Sequence, residues 1–334
     1  MKKNKTYIIA EIGINHEGNL SKAKKLVRQA KASGADAVKF QVFEPNTLAR
    51  ENSAKSAQQK KYISKKLSLA KMWKKVSLNF NQLHQLKRLC VKIKIDFICS
   101  VFDETSLNKI KKLNPNYIKI ASSDLNDFYL LKLIKKLNKK IILSTGLSNK
   151  NEISKAIKIL GKKIILLHCV SSYPCPPEIA NLKRIETLRK KFGVQTGYSD
   201  HTQGIQSSLI AITLGVKILE KHFTLNKKLK GADHKLSADK HDLKQIVDFA
   251  SNFKNLMGTG KIKPTKRELI NKKLFRKGLY FSDKFKKGHK LNLSDIYFAR
   301  PETKLKLNSF KKFLGKTLIK NVNKFNEIKG SYFK

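Results

Sequence analysis

The chain has 334 residues, of which 40% are hydrophobic and 8% aromatic, enough for a buried core, and this excludes wholesale disorder. No apolar stretch approaches the roughly 20 residues of a membrane helix, and the first apolar run, 7–10, stops at Glu11, too short for a secretory core, so a cytoplasmic protein is expected. The net charge is +48, from 72 Lys+Arg against 24 Asp+Glu, yet only eight of the 72 are Arg and the lysines are spread along the whole chain; this favours a general pull on anions over a specific nucleic-acid reader, which needs Arg forks.

In chain order, short apolar runs at 7–13, 37–43, 95–100, 117–121, 141–145, 164–170, 194–199 and 216–223 alternate with longer segments at 20–33, 81–92, 106–113, 128–137, 151–160, 179–191 and 205–214. Apolar positions in the longer segments recur every three or four residues, the period of a half-buried helix. Near-continuous apolar strands joined by such helices imply a parallel sheet covered on both faces. Eight units over about 250 residues predict a closed (β/α)8 barrel. An open doubly wound sheet would need a G-x-G-x-x-G first turn, and Gly13-Ile14-Asn15-His16-Glu17-Gly18 is one glycine short.

Residues 43–76 are polar, rich in Lys and Ser, and too long for an ordinary strand-to-helix loop, which predicts a helical insertion over one barrel mouth. A helix at 242–256 completes a barrel domain of residues 1–257. Residues 258–274 carry Gly258, Gly260 and Pro264 among lysines and read as a linker. Residues 275–334 hold short strand-forming runs at 278–281, 297–299 and 317–319 and read as a small β-rich module. Cys90, Cys99, Cys169 and Cys175 form no C-x-x-C pair and read as reduced core thiols; Cys169, beside His168, lacks an evident orienting group for a nucleophile.

Polar residues stand at or just past the end of each predicted barrel strand: Glu11; Lys39 and Gln41; Ser100; Lys119 and Ser122; Ser144; His168, Ser171 and Tyr173; Ser199 and His201; and His222. All strands of such a barrel end on one rim, where active sites form. Lys39 and Lys119 lie inside apolar runs, where an uncompensated ammonium is costly. Facing one mouth with the hydroxyls of Ser100, Ser122, Ser144 and Ser199, they would cradle phosphate and carboxylate. Pointing outward they would snorkel, and Lys119 is the better Schiff-base candidate of the two. His201 and His222 close consecutive strands. They either share one metal, in an open octahedral Mn²⁺ or Mg²⁺ site rather than tetrahedral zinc, or serve as structural or catalytic histidines. Glu11 and Asp233 offer carboxylates for proton work, and Glu220 shares the strand face of His222.

The segments Ala10-Glu11-Ile12-Gly13-Ile14-Asn15-His16-Glu17-Gly18, Gly34-Ala35-Asp36-Ala37-Val38-Lys39-Phe40-Gln41, Tyr198-Ser199-Asp200-His201-Thr202, Glu220-Lys221-His222-Phe223-Thr224 and Asp233-His234-Lys235 together resemble the N-acetylneuraminate (sialic acid) synthase family. Leu143-Ser144-Thr145-Gly146, Leu167-His168-Cys169 and Tyr173-Pro174 agree. The likeness runs over about residues 7–240 and resumes near residue 275 as something similar to that family's antifreeze-protein-like (SAF) domain.

This resemblance implies an enzyme condensing phosphoenolpyruvate with an N-acetylated hexosamine, N-acetylmannosamine, to give a nine-carbon ulosonic acid. An acceptor of the diacetamido-dideoxy hexose class, giving legionaminic or pseudaminic acid, is the alternative, and a nucleic-acid-binding protein on a retired barrel is the alternative of another class. By the resemblance Lys39, Ser100, Lys119, Ser122, Ser144 and Ser199 would hold phosphoenolpyruvate. His201 and His222 would bind Mn²⁺, with Mg²⁺ or Co²⁺ as substitutes. Glu11, Gln41, Tyr173 and Asp233 would surround the sugar, and Arg300 would be lent by the small domain to a neighbouring subunit's site, implying a homodimer. Four places depart from the family pattern: Ser122-Ser123-Asp124 stands for Ser-Gly-Glu, Ser171 for a frequent Asn, Arg300-Pro301-Glu302-Thr303-Lys304 for Arg-Pro-Gly-Thr-Gly, and Gly330-Ser331-Tyr332-Phe333-Lys334 shows no obvious match to the final family segment.

Overall fold

Successive side chains of a strand point to opposite faces, and in a closed barrel one face is the interior while the other meets the surrounding helices. The computed structural model describes residues 5–48 and 68–334. Its eight parallel strands are β1 (Tyr7–Gly13), β2 (Ala37–Val42), β3 (Asp96–Val101), β4 (Tyr117–Ile120), β5 (Ile141–Ser144), β6 (Ile165–Cys169), β7 (Gln195–Asp200) and β8 (Ile218–His222). Each pairs with the next and β8 returns to β1, closing the (β/α)8 barrel that the sequence pattern predicts.

The inward set fills the lower interior with Tyr7, Ile9, Ile98, Tyr117, Ile142 and Leu167 among others. Gly197 on β7 completes this layer by omission: a Cβ there would lie 2.4 Å from Leu167 Cδ2 and 2.5 Å from the Ile218 carbonyl oxygen. The outward set, including Ile8, Ala10, Phe40, Phe97 and Leu219, packs in one large core with helix residues such as Leu26, Leu86, Ile134 and Ile246. Asn19, Asn79, Asp103, Asp127, Asn149 and Asp239 cap helix starts, each accepting a backbone N–H two or three residues on.

The structure corrects the sequence reading in three places and bears out the helical insertion as far as the described residues go. The helix expected over 179–191 is two, Pro177–Ala180 and Arg184–Phe192, because Asn181 takes a left-handed conformation (φ 44°) between them. Of the insertion expected over 43–76, Pro45–Leu48 and Leu69–Val76 are helical, and 49–67 lie outside the described residues. The stretch read as a linker contains the helix Lys266–Phe275, started by a capping box of Thr265 and Glu268. The run at 317–319 makes only isolated bridges, Thr317 to Lys290 and Leu318 to Phe333.

The chain divides into two compact units, Met1–Gly258 and Thr259–Lys334. In the second, β9 (Gly278–Phe281) pairs antiparallel with β10 (Ile296–Ala299) over a small core of Leu279, Phe281, Leu291, Ile296, Leu318, Val322 and Ile328. Among the described residues no helix is long and apolar enough to cross a membrane.

Candidate active site

One inward position above the apolar layer, the strands change chemistry. Ile9 is followed two residues on by Glu11, Ala37 by Lys39, Ile98 by Ser100, Tyr117 by Lys119, Ile142 by Ser144, Leu167 by Cys169, Gly197 by Ser199 and Ile218 by Glu220. The parallel register makes these neighbours: Glu11 stands opposite Lys39 on one side and His222 on the other, Ser100 opposite Lys119, and Ser199 opposite both Cys169 and Glu220. The polar layer lines a cavity of about 570 Å³.

Twelve of the thirteen residues singled out as a site in the sequence line this one cavity: Glu11, Lys39, Gln41, Ser100, Lys119, Ser122, Ser144, Tyr173, Ser199, His201, His222 and Asp233. The thirteenth, Arg300, belongs to the second unit, where its guanidinium carbon lies 6.0 Å from the Phe275 ring centroid. His168 departs from the ring of strand-tip residues, because alternation sends it outward between the inward Leu167 and Cys169. Its Nε2 donates to the Ala180 carbonyl at 2.7 Å and its ring stacks on Tyr198.

Neither buried lysine snorkels. Lys39 Nζ lies 2.6 Å from Glu11 Oε2 and 3.8 Å from Glu220 Oε2, and donates to Ser100 Oγ at 2.9 Å. Burial opposes its charge, but the two carboxylates outweigh burial and raise its pKa. Lys119 Nζ donates to Ser144 Oγ at 2.7 Å and to the Ile120 carbonyl at 3.1 Å, with no carboxylate in contact among the described residues. Burial therefore wins and lowers its pKa, with Glu220 only partly compensating. Glu220 accepts from Ser199 Oγ at 2.9 Å; burial works against its charge, yet Lys39 and Lys119 hold the carboxyl below its ordinary range. Glu11, held by Gln41 Nε2 at 3.1 Å, is raised instead, by burial and the nearby Glu220 charge acting against Lys39. Two lysines, two carboxylates and four serine hydroxyls thus share one floor.

The imidazoles of His201 and His222 lie with ring centroids 5.4 Å apart, and Tyr173 packs 4.2 Å from the first and edge-on to the second. His201 Nδ1 donates to the Val170 carbonyl at 2.8 Å, which fixes the tautomer and leaves the Nε2 lone pair free to coordinate. His222 Nδ1 is buried without a hydrogen-bond partner, with Asp233 Oδ2 3.6 Å away. Burial, with the nearby His201 and Lys39 charges, pushes the His222 pKa well down, so its ring is neutral. Among the described residues no group of three or more His, Cys, Asp or Glu is arranged to enclose an ion. Two adjacent imidazoles with remaining positions open fit an open divalent site and do not fit a closed structural one.

Several lining residues carried no sequence signal for function. Met72 and Trp73 come from the helix Leu69–Val76, and Phe102 and Leu147 from the ends of β3 and β5; they form an apolar outer wall. Phe43 braces it, 5.2 Å from the Trp73 ring and 6.2 Å from Phe102. The aromatic residues of this wall had no periodicity to distinguish them from core. Cys169 also lines the cavity, its Sγ 3.7 Å from His201 Nδ1, but that nitrogen is already engaged by Val170. Gly146 is a forced choice: a Cβ would sit 2.6 Å from Ser171 Oγ and 2.8 Å from Ser122 Oγ.

The chain is similar to known proteins over nearly its whole length. The NeuB family pattern matches residues 26–262. The N,N'-diacetyllegionaminic acid synthase of Campylobacter jejuni is 38% identical over 323 residues, covering 95% of this chain and 97% of the relative. A pseudaminic acid synthase of the same species is 31% identical, covering 99% and 97%. Among solved structures, the N-acetylneuraminic acid (sialic acid) synthetase of Leptospira borgpetersenii superposes with a TM-score of 0.71 at 34% identity, covering 80% of this chain and 90% of that one.

Proposed function

Because the chain belongs to the NeuB family, we propose that it joins phosphoenolpyruvate to the open-chain aldehyde of an N-acylated amino sugar, giving a nine-carbon 2-keto sugar acid and inorganic phosphate. The observation that carries this reading is the polar floor, where the buried Lys39 and Lys119 stand on either side of β3 and donate to Ser100 and Ser144. Fixed ammoniums and hydroxyls on the floor of this cavity suit a ligand with a phosphate and a carboxylate, and cost no reorganisation when phosphate leaves.

In the proposed reaction the enol carbon of phosphoenolpyruvate forms the new C–C bond with the aldehyde carbon. Positive character develops at the neighbouring carbon, water adds there, and the tetrahedral adduct collapses with C–O cleavage to the ketone and phosphate. Glu11, whose pKa burial and the Glu220 charge raise, is suited to take the proton lost by the water and to protonate the alkoxide left by the aldehyde. Lys39 and Lys119 bind the phosphoryl and carboxylate groups, and Ser122 and Ser199 extend that cradle. A divalent ion on His201 and His222, Mn²⁺ or else Mg²⁺ or Co²⁺, would supply Lewis-acid polarisation of the aldehyde. Gln41, Tyr173 and Asp233 surround the acceptor. Arg300, on the second unit, is proposed to complete a neighbouring subunit's site in a homodimer.

For the acceptor, the Campylobacter relative favours a diacetamido-dideoxy hexose over N-acetylmannosamine. The apolar wall of Met72, Trp73, Phe102 and Leu147 agrees, since it suits methyl groups better than hydroxyls. The test is to incubate the protein with phosphoenolpyruvate, Mn²⁺ and either sugar, following phosphate release and product mass. The diacetamido sugar should give the faster release. Lys119→Ala should lower it about 100- to 1,000-fold, and EDTA should abolish it until Mn²⁺ is restored. Absence of phosphate release with either sugar overturns the reading, and full activity after EDTA overturns the metal.

A further inference from the structure

Behind the cavity lies a charged pair that the proposed chemistry does not use. Asp200, the last residue of β7, and Lys221 of β8 stand opposite each other in register, 0% and 1% exposed. Alternation directs both away from the cavity, since Ser199, Glu220 and His222 point in. Lys221 Nζ lies 3.1 Å from Asp200 Oδ2, which also accepts from Ser208 Oγ at 2.6 Å. Asp200 Oδ1 accepts from the Thr202 backbone N–H and the Thr202 hydroxyl, both at 2.8 Å, and from Tyr198 OH at 3.3 Å. Lys221 Nζ donates to the Thr202 carbonyl.

Every polar group of Thr202 is therefore held by this one pair, and the residue between Asp200 and Thr202 is His201. A buried ion pair is a poor way to gain stability, because apolar residues of the same volume usually serve as well or better. Its placement suggests what it gains instead. With Asp200 held on one side of His201 and Thr202 on the other, and with the Cys175 N–H donating to the His201 carbonyl at 2.8 Å, the backbone is tied down on both sides of the imidazole.

We propose that Asp200 and Lys221 are positioning residues, a clamp that aims the His201 ring into the cavity and so sets divalent-ion affinity. This rests on the reading of His201 and His222 as ligands. The deciding variant is the double substitution Asp200→Leu with Lys221→Met, which removes both charges and leaves neither buried alone. Its melting temperature should stay within a few degrees of wild type. Mn²⁺ affinity, measured without substrate by the EPR signal of free Mn²⁺, should fall about 10- to 100-fold, as for other groups that orient a metal-binding histidine. The visible spectrum of the Co²⁺-loaded protein should change with it. Thr202→Ala, which keeps the ion pair and removes one of its bonds, gives a milder second point: a several-fold loss with unchanged melting. It decides the matter if the double variant does not fold. If wild type binds Mn²⁺ and folded variants bind it equally, with the same Co²⁺ spectrum, the pair only supports the fold and the proposal fails. If wild type binds no Mn²⁺, the metal reading itself fails and takes the proposal with it.

Discussion

Lys39 and Lys119 show how much a single neighbour decides. Both are buried lysines with one strand between them, yet Lys39 is held charged by Glu11 and Glu220 while Lys119, bonded among the described residues only to a hydroxyl and a carbonyl, has its pKa lowered. Asp124, next in the chain to the cavity-lining Ser123, is a milder case of the same physics. Burial lifts its carboxyl to about 6, with the Ser123 hydroxyl pulling the other way. Its folded pKa thus lies above the unfolded one of about 4, and charging it costs the folded state stability as pH rises from about 4 to 6. Asp124→Asn should therefore stabilise the protein by about 1–2 kcal/mol at pH 7.5 and by almost nothing at pH 4, read from urea midpoints. The two lysines were legible in the sequence because a charge inside an apolar run has few explanations. Glu220 was only partly legible: its face followed from His222, but its place between two lysines depends on strand order, which no local pattern encodes.

Among the elements, the helix Leu69–Val76 matters more than its eight residues suggest. Ser68 caps it, Leu69 and Met72 bury, and Trp73 on the next position overhangs the cavity against Phe43. If this wall grips the acceptor, Trp73→Ala should raise the KM of the sugar about tenfold, from roughly 1.5 kcal/mol of lost aromatic contact, and leave the KM of phosphoenolpyruvate within twofold. Steady-state kinetics with each substrate varied in turn would separate the two. Strands and helices of the barrel were readable to within a few residues because periods of 2 and 3.6 are set by burial itself. The break at Asn181 was not, since the apolar spacing continues across it while the backbone does not. The helix Lys266–Phe275 was hidden for the opposite reason: it buries no residue, so it has no apolar stripe to betray it.

For the molecule as a whole, the lysine excess acts at a distance. A net +48 surrounding a cavity floored in part by two lysines should draw in a multiply charged anion. Raising NaCl from about 50 to 500 mM shortens the screening length from about 14 to 4 Å, and the KM for phosphoenolpyruvate should rise several-fold while kcat holds. A KM indifferent to salt would mean that the surface lysines take no part. The barrel could be inferred from the count of strand–helix repeats, and the common rim followed from the barrel; the second unit's small core, built from scattered residues such as Leu291 and Val322, could not.

The join between β1 and β8 has a consequence for biosynthesis. The Tyr7–Gly13 segment needs Ile218–His222 as its partner, and about 200 residues separate them. At common translation speeds of about 5–20 residues per second, roughly 10 to 40 s pass before the ribosome delivers that partner. During this interval the emerging chain carries one unzipped flank of seven residues, six of them in the run Tyr7-Ile8-Ile9-Ala10-Glu11-Ile12, which is the stretch a nascent-chain chaperone would have most reason to shield.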